Sequence, residues 1–153
     1  MSHISKVKVY VRDLAVFAEA CRELGVQLVE GQKTFKTYNG KLGECDHAVV
    51  VPAKSRAYEI GLVRGRVAES GGFVADREGD CFELNFDEWG GGNGMVNRVG
   101  YGCGELLQAY SGKKIEATAK KNNYELTKTK NADGSWRYEA TKRVASAFAG
   151  KTY

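Results

Sequence analysis

Two kinds of side chain interleave toward the C-terminal end of this sequence. Lys113, Lys114, Lys120 and Lys121 stand in a helix-like segment, and Lys128, Lys130, Arg137, Lys142 and Arg143 follow in the stretch YELTKTKNADGSWRYEATKR. Trp136 and Tyr138 fall among these cations. Basic side chains contact phosphates, and aromatic rings stack on unpaired bases. The combination fits RNA or single-stranded DNA. A plainer account is a solvated basic face whose rings pack inward on the helix, since most charged side chains do no more than meet water.

Whether the cations and rings meet depends on the register of a hairpin. A two-residue Asp133-Gly134 turn would pair Lys130 with Arg137 and Leu126 with Thr141. Like charges would then oppose each other, and Leu126 would lie on the face away from Trp136 and Tyr138. A three-residue loop, Ala132-Asp133-Gly134, avoids both faults. Asn131 opens a type I turn and Gly134 takes the left-handed position. Leu126 then opposes Ala140, Lys128 opposes Tyr138, and Lys130 opposes Trp136, with Thr127 and Glu139 on the other face. This second register is the expected one.

Other candidate chemistry is thinner. Cys45-Asp46-His47 sets three metal-ligating types side by side, but a zinc site wants four ligands, usually in CxxC or HxxxH pairs. His3, Cys81 and Cys103 would complete one only if the fold gathers them, and a polar turn entering a strand accounts for the trio equally. Gly90 to Gly94 and Gly100 to Gly104 could cradle a phosphate on backbone amides. Neither carries the GxxxxGK[ST] or GxGxxG pattern, so a mobile loop is expected. Asp76, Glu78, Asp80, Glu83, Asp87 and Glu88 form an acidic cluster. Paired carboxylates can exchange protons or hold magnesium, but only with convergent geometry. A solvated strand and its turns, or a docking face for a basic partner, is the simpler expectation. Cys103, between Gly102 and Gly104, reads as exposed, yet no base or orienting group is placed beside it to make a nucleophile.

The chain must supply elements that position these groups. Its 153 residues suit one domain with a real core. With 27% charged and 42% hydrophobic residues, a folded soluble protein is expected. No apolar run approaches the roughly 20 residues that span a bilayer, and the opening MSHISKVKVYV lacks a signal peptide's apolar core. Cytoplasmic location, reduced thiols at Cys21, Cys45, Cys81 and Cys103, and no membrane partner follow as expectations. The net charge of +4 is uneven. Residues 71–100 carry 2 basic and 6 acidic side chains, whereas residues 101–153 carry 10 and 5. A surplus this small is compatible with a polyanion without demanding one.

Val7, Val9 and Val11 alternate with polar residues and predict a strand with one buried face. Asp13 is an N-cap for a helix whose stripe is Leu14, Phe17, Cys21 and Leu24, with Gly25 at its stop. Strands are predicted at Val26 to Val29, Phe35 to Tyr38, Ala48 to Val51, Tyr58 to Val63, Phe73-Val74 and Cys81 to Phe86. Phe82, Leu84 and Phe86 share a face, and Asn39-Gly40 marks a turn. The glycine run after Trp89 reads as the most flexible stretch. A second helix starts between Met95 and Glu105 and ends near Asn122-Asn123, with Gly112 as a point of weakness.

The opening Met1-Ser2-His3-Ile4-Ser5-Lys6-Val7-Lys8, Asp13-Leu14, Glu23-Leu24-Gly25, Phe82-Glu83-Leu84 through Trp89, Leu107-Gln108-Ala109-Tyr110 and the Asn131 to Ser135 turn carry a likeness. By these the chain resembles the plastid open-reading-frame-thirty-five family, an uncharacterised domain of cyanobacteria, algal plastids and bacteriophages. Ile4 stands where that family usually has an aromatic, and the GGGNG run and the tail beyond Arg143 depart from it. The resemblance implies a compact α+β domain and supplies no catalytic residues.

The expected fold is α+β: two helices packed on a mainly antiparallel sheet, in the order strand, helix, several strands, helix, and a C-terminal hairpin. Residues 1–143 are expected to form a single domain and residues 144–153 a loosely ordered tail. The expected function is that of a non-catalytic accessory protein using Lys113, Lys114, Lys120, Lys121, Lys128, Lys130, Trp136, Arg137, Tyr138, Lys142 and Arg143 on RNA or single-stranded DNA. The alternative is a structural or assembly protein, of phage origin, acting through a protein partner or self-association. No catalytic residue, metal ligand or cofactor is assigned.

Overall fold

A computed structural model describes residues 4–143, so His3 and the expected tail at 144–153 lie outside the described residues. The fold is α+β with mainly antiparallel sheets. The described residues divide into two compact units, the boundary falling between Ser111 and Gly112, and each is described by itself.

The first unit opens with β1 (Ile4–Val11) and α1 (Leu14–Glu23). β2 (Gln27–Glu30), β3 (Thr34–Lys36), β4 (Leu42–Glu44), β5 (His47–Val50), β6 (Ile60–Val67), β7 (Phe73–Ala75) and β8 (Cys81–Asp87) follow. Five strands form the path β1-β8-β6-β5-β2, every neighbour antiparallel, with β7 added to β6. β3 and β4 make a separate hairpin whose Phe35 ring lies against Gly61 of β6, where a Cβ would collide with it.

Asp13 caps α1 as its type predicts, its carboxylate accepting from Val16 N at 3.1 Å, and Gly25 ends the helix at φ +76°. Phe17, Ala20 and Cys21 carry α1 into a core with Ile60, Leu62, Leu84 and Phe86 of the sheet. A short helical turn, α2 (Met95–Val99), and the first turns of α3 (Gly104–Lys121) add Met95, Val99, Leu106 and Tyr110 to it. The Tyr110 hydroxyl accepts from both Arg12 N and Asp13 N at 3.1 Å.

Two sequence expectations change here. Val9 does not share a buried face with Val7 and Val11, because an irregularity in the pairing with β8 falls between those two residues. A bulge inserts an unpaired residue and turns side chains to the other face. Val9 is accordingly 52% exposed, while Tyr10 stacks on Phe73 at 5.3 Å. The acidic strand is not solvated either. β8 is flanked by β1 and β6 and all seven of its residues are buried, Glu83 and Asp87 included.

In the second unit α3 runs through Gly112 without a break. A Cβ at Gly112 would collide with the Tyr138 hydroxyl, so the helix's weakest residue is the one that lets the hairpin approach. After Asn123, at φ +60°, come β9 (Tyr124–Lys130) and β10 (Trp136–Lys142).

Candidate nucleic-acid interface

The hairpin adopts the three-residue-loop register. Lys130 pairs with Trp136, Lys128 with Tyr138 and Leu126 with Ala140. Asn131 N donates to Ser135 O at 2.8 Å, Gly134 N to Asn131 O at 3.1 Å, and Gly134 has φ +91°. Asp133 Oδ1 accepts from Ser135 N at 2.9 Å and from its hydroxyl at 2.6 Å, and these bonds hold the carboxyl below the usual carboxylate range.

The register brings cations and rings into contact. Lys128 Nζ lies 4.3 Å from the Trp136 ring centroid and 5.7 Å from that of Tyr138, and Lys130 Nζ lies 5.4 Å from Trp136. The two rings differ in access. Trp136 is 38% exposed, whereas Tyr138 is half-buried with its hydroxyl against Gly112. Toward the base of the hairpin the same face lines an open hollow of about 360 Å³ with Ile115, Ala119, Leu126 and Ala140. The face is thus split: its turn-proximal half offers ammonium groups and an indole, and its other half meets the helix.

The remaining cations are dispersed. Lys120 and Lys121 are exposed in the last turn of α3, where the free carbonyls favour positive charge. Lys113 is paired with Glu116 at 3.7 Å. Arg137 is paired with Glu139 at 3.0 Å on the face opposite Trp136. Lys142 pairs across from Tyr124, and Arg143 N donates to Asn123 O at 3.1 Å. Lys114 lines the apolar hollow. Lys128, Lys130 and Trp136 are therefore the members brought together most closely.

The other sequence candidates are taken up by the fold. The Cys45 thiol donates to Gln32 O at 3.2 Å, Asp46 accepts from Arg64 N at 2.8 Å, and His47 Nδ1 accepts from Gly31 N at 2.9 Å. Cys103 is buried rather than exposed, and burial raises its thiol pKa. The glycine run is not a loose loop. Gly90 to Asn93 all hold left-handed φ, Gly92 O accepts from Tyr58 N at 2.9 Å, and Asn93 Nδ2 donates to Arg56 O at 3.0 Å. Among the acidic residues, Asp76 pairs with Arg66, Asp80 with Arg12, and Glu88 accepts from Gly102 N at 2.7 Å. Asp87 accepts from Tyr38 N and Trp89 N, both at 3.0 Å. A buried carboxylate satisfied by backbone donors organises chain turns, a role its place in an acidic run did not signal.

Among the described residues no helix is long and apolar enough to cross a membrane. No family model, curated protein or solved structure matches the chain.

Proposed function

We propose that the protein is a non-catalytic nucleic-acid-binding accessory protein that engages RNA or single-stranded DNA through the turn-proximal face of its C-terminal hairpin. The carrying observation is the cluster of Lys128 and Lys130 over an exposed Trp136. An indole offers a stacking plane to any base, and adjacent ammonium groups meet the phosphates beside it. Lys120 and Lys121 extend the positive field in the same unit. Tyr138 serves as the spacer that sets the hairpin on α3. The likeness to the plastid open-reading-frame-thirty-five family belongs to the same proposal and adds no ligand to it.

Fluorescence titration of a short single-stranded RNA at low salt tests this reading. Binding tighter than about 100 μM, weaker than which even non-specific association rarely falls, is expected, with Trp136→Ala weakening it at least about fivefold. No binding at that concentration would reject the reading.

A second reading has its own observation. Ile115 and Tyr124 are each 39% exposed beside the apolar hollow of the helix and hairpin base. Exposed apolar surface of this kind suits a protein partner or self-association. Light scattering across a concentration series, with Ile115→Lys as the comparison, separates the two: self-association should vanish in the variant while RNA binding persists.

A further inference from the structure

We infer that the first unit holds a separate anion site, a cleft of about 420 Å³ lined by Lys33, Asp46, Arg64 and Arg77 that takes the phosphoryl group of a small molecule. Three cations and one carboxylate leave this lining with two surplus positive charges. Among the described residues Lys33, Arg64 and Arg77 have no ion-pair partner, whereas Arg12 and Arg66 are paired with Asp80 and Asp76. Gathering like charges in one concavity costs free energy that an anion recovers.

The cations are held by the fold. Arg64 N donates to Asp46 Oδ2 at 2.8 Å, Arg64 Nη1 donates to Gly79 O at 3.1 Å, and the guanidinium lies 4.5 Å from the Phe82 centroid. Its Nε and Nη2 donors are bonded to no described residue. Arg77 sits in a turn closed by Gly79 N to Asp76 O at 3.0 Å, and Asp76 N donates to Arg64 O at 3.1 Å, which ties that turn to β6. Lys33 O accepts from Cys45 N at 2.9 Å, which fixes the third cation's backbone. A guanidinium fork with free donors, flanked by two further cations, suits a multiply charged tetrahedral oxyanion. The cleft has the size of a small-molecule site rather than of one bare ion. Asp46 would repel a second phosphate and accept from a hydroxyl or amine instead. The ligand class is therefore a phosphorylated small molecule with a hydroxyl near its phosphoryl group.

Calorimetric titration with inorganic phosphate and with ribose 5-phosphate, at low ionic strength where screening is weakest, tests the site. Ribose 5-phosphate should bind more tightly than inorganic phosphate. Lys33→Ala and Arg77→Ala, both at exposed positions, should each weaken binding by about tenfold. Asp46→Asn keeps an acceptor for Arg64 N and should strengthen inorganic phosphate severalfold. His47 gives an independent readout. Burial holds its imidazole below the usual range, with Lys33 and Arg64 adding to this against Glu30 and Asp46. A bound oxyanion should raise its pKa, as followed by proton NMR. Silent titrations, undiminished binding in the Lys33→Ala/Arg77→Ala double variant, equal response to chloride, or an unmoved His47 would each overturn the inference. Lys128→Ala leaves this site intact, so failure of the hairpin reading and failure of the cleft are distinguishable.

Discussion

Lys128 sits closer to the ring of Trp136, at 4.3 Å, than to that of Tyr138, its direct cross-strand partner, at 5.7 Å. The diagonal contact is favoured because indole presents the most negative face of the aromatic side chains to a cation. Lys128 therefore covers the surface on which a base would stack. A strand bound as proposed would have to draw this ammonium from the ring to a phosphate.

That competition separates two variants that would otherwise look alike. Lys128→Ala would remove the phosphate contact proposed for this side chain and uncover the ring. The slope of log affinity against log salt should shrink by about 0.7 for a single strand, while affinity extrapolated to 1 M salt should be undiminished. Trp136→Ala should do the reverse, leaving the slope and lowering the extrapolated affinity by about 1–3 kcal/mol. Parallel losses in both variants would show that neither side chain acts as assigned.

Gly112 and Tyr138 make a second coupled pair. Helix propensity alone makes Ala better than Gly by about 1 kcal/mol, yet the added methyl would strike the tyrosine hydroxyl. Gly112→Ala is therefore expected to destabilise the protein, whereas in a Tyr138→Phe background it should stabilise by about 1 kcal/mol. A double-mutant cycle by urea denaturation should give a coupling of about 1–2 kcal/mol. A single Gly112→Ala variant that gains the full propensity increment would refute the close approach.

The hairpin was legible because its evidence is local. Gly134, the like charges at Lys130 and Arg137, and the face of Leu126 all constrain one register within twenty residues. The helix start at Asp13 is legible for the same reason. The burial of Glu83 and Asp87 was hidden, because alternation in β8 resembles a half-solvated strand until its neighbours are known. Asp87 is used by Tyr38, forty-nine residues away. The pairing irregularity in β1 left no mark in the sequence, since Val9 and Tyr10 are both at home in strands. Lys33, Arg64 and Arg77 share no motif, and only the sheet and the turn after β7 gather them.

The four free cysteines offer a simple check on the core. Burial pushes the Cys21 thiol up to about 12 and that of Cys45 up to about 11, and it raises Cys81 and Cys103 as well. Thiolate is the reactive form, so an aromatic disulfide reagent at pH 8 should modify none on mixing and all four in denaturant. Cys45, at 8% exposed against 0% for the others, should be first to react slowly in the native protein. Rapid native modification of Cys103 would contradict its burial.

Glu83 gives stability a pH dependence whose sign can be worked out. Burial raises its carboxyl pKa above the ordinary 4.5, and Lys6 opposes that rise. Between the unfolded pKa and the higher folded one, the native state holds the proton more tightly than the unfolded chain. Stability therefore falls as pH rises through that window, and the full penalty is present above the folded pKa. The Asn85 amide nitrogen, turned to donate, reaches Glu83 Oε1 at 3.1 Å, and a Gln side chain retains that acceptor. Glu83→Gln should match the wild type near pH 4 and exceed it at pH 7, by about 2–4 °C in melting temperature for each kcal/mol recovered. Melting curves by circular dichroism at the two pH values decide the matter. A variant less stable than the wild type at pH 7 but equal to it at pH 4 would mean that attraction to Lys6 outweighs the cost of burying the charge.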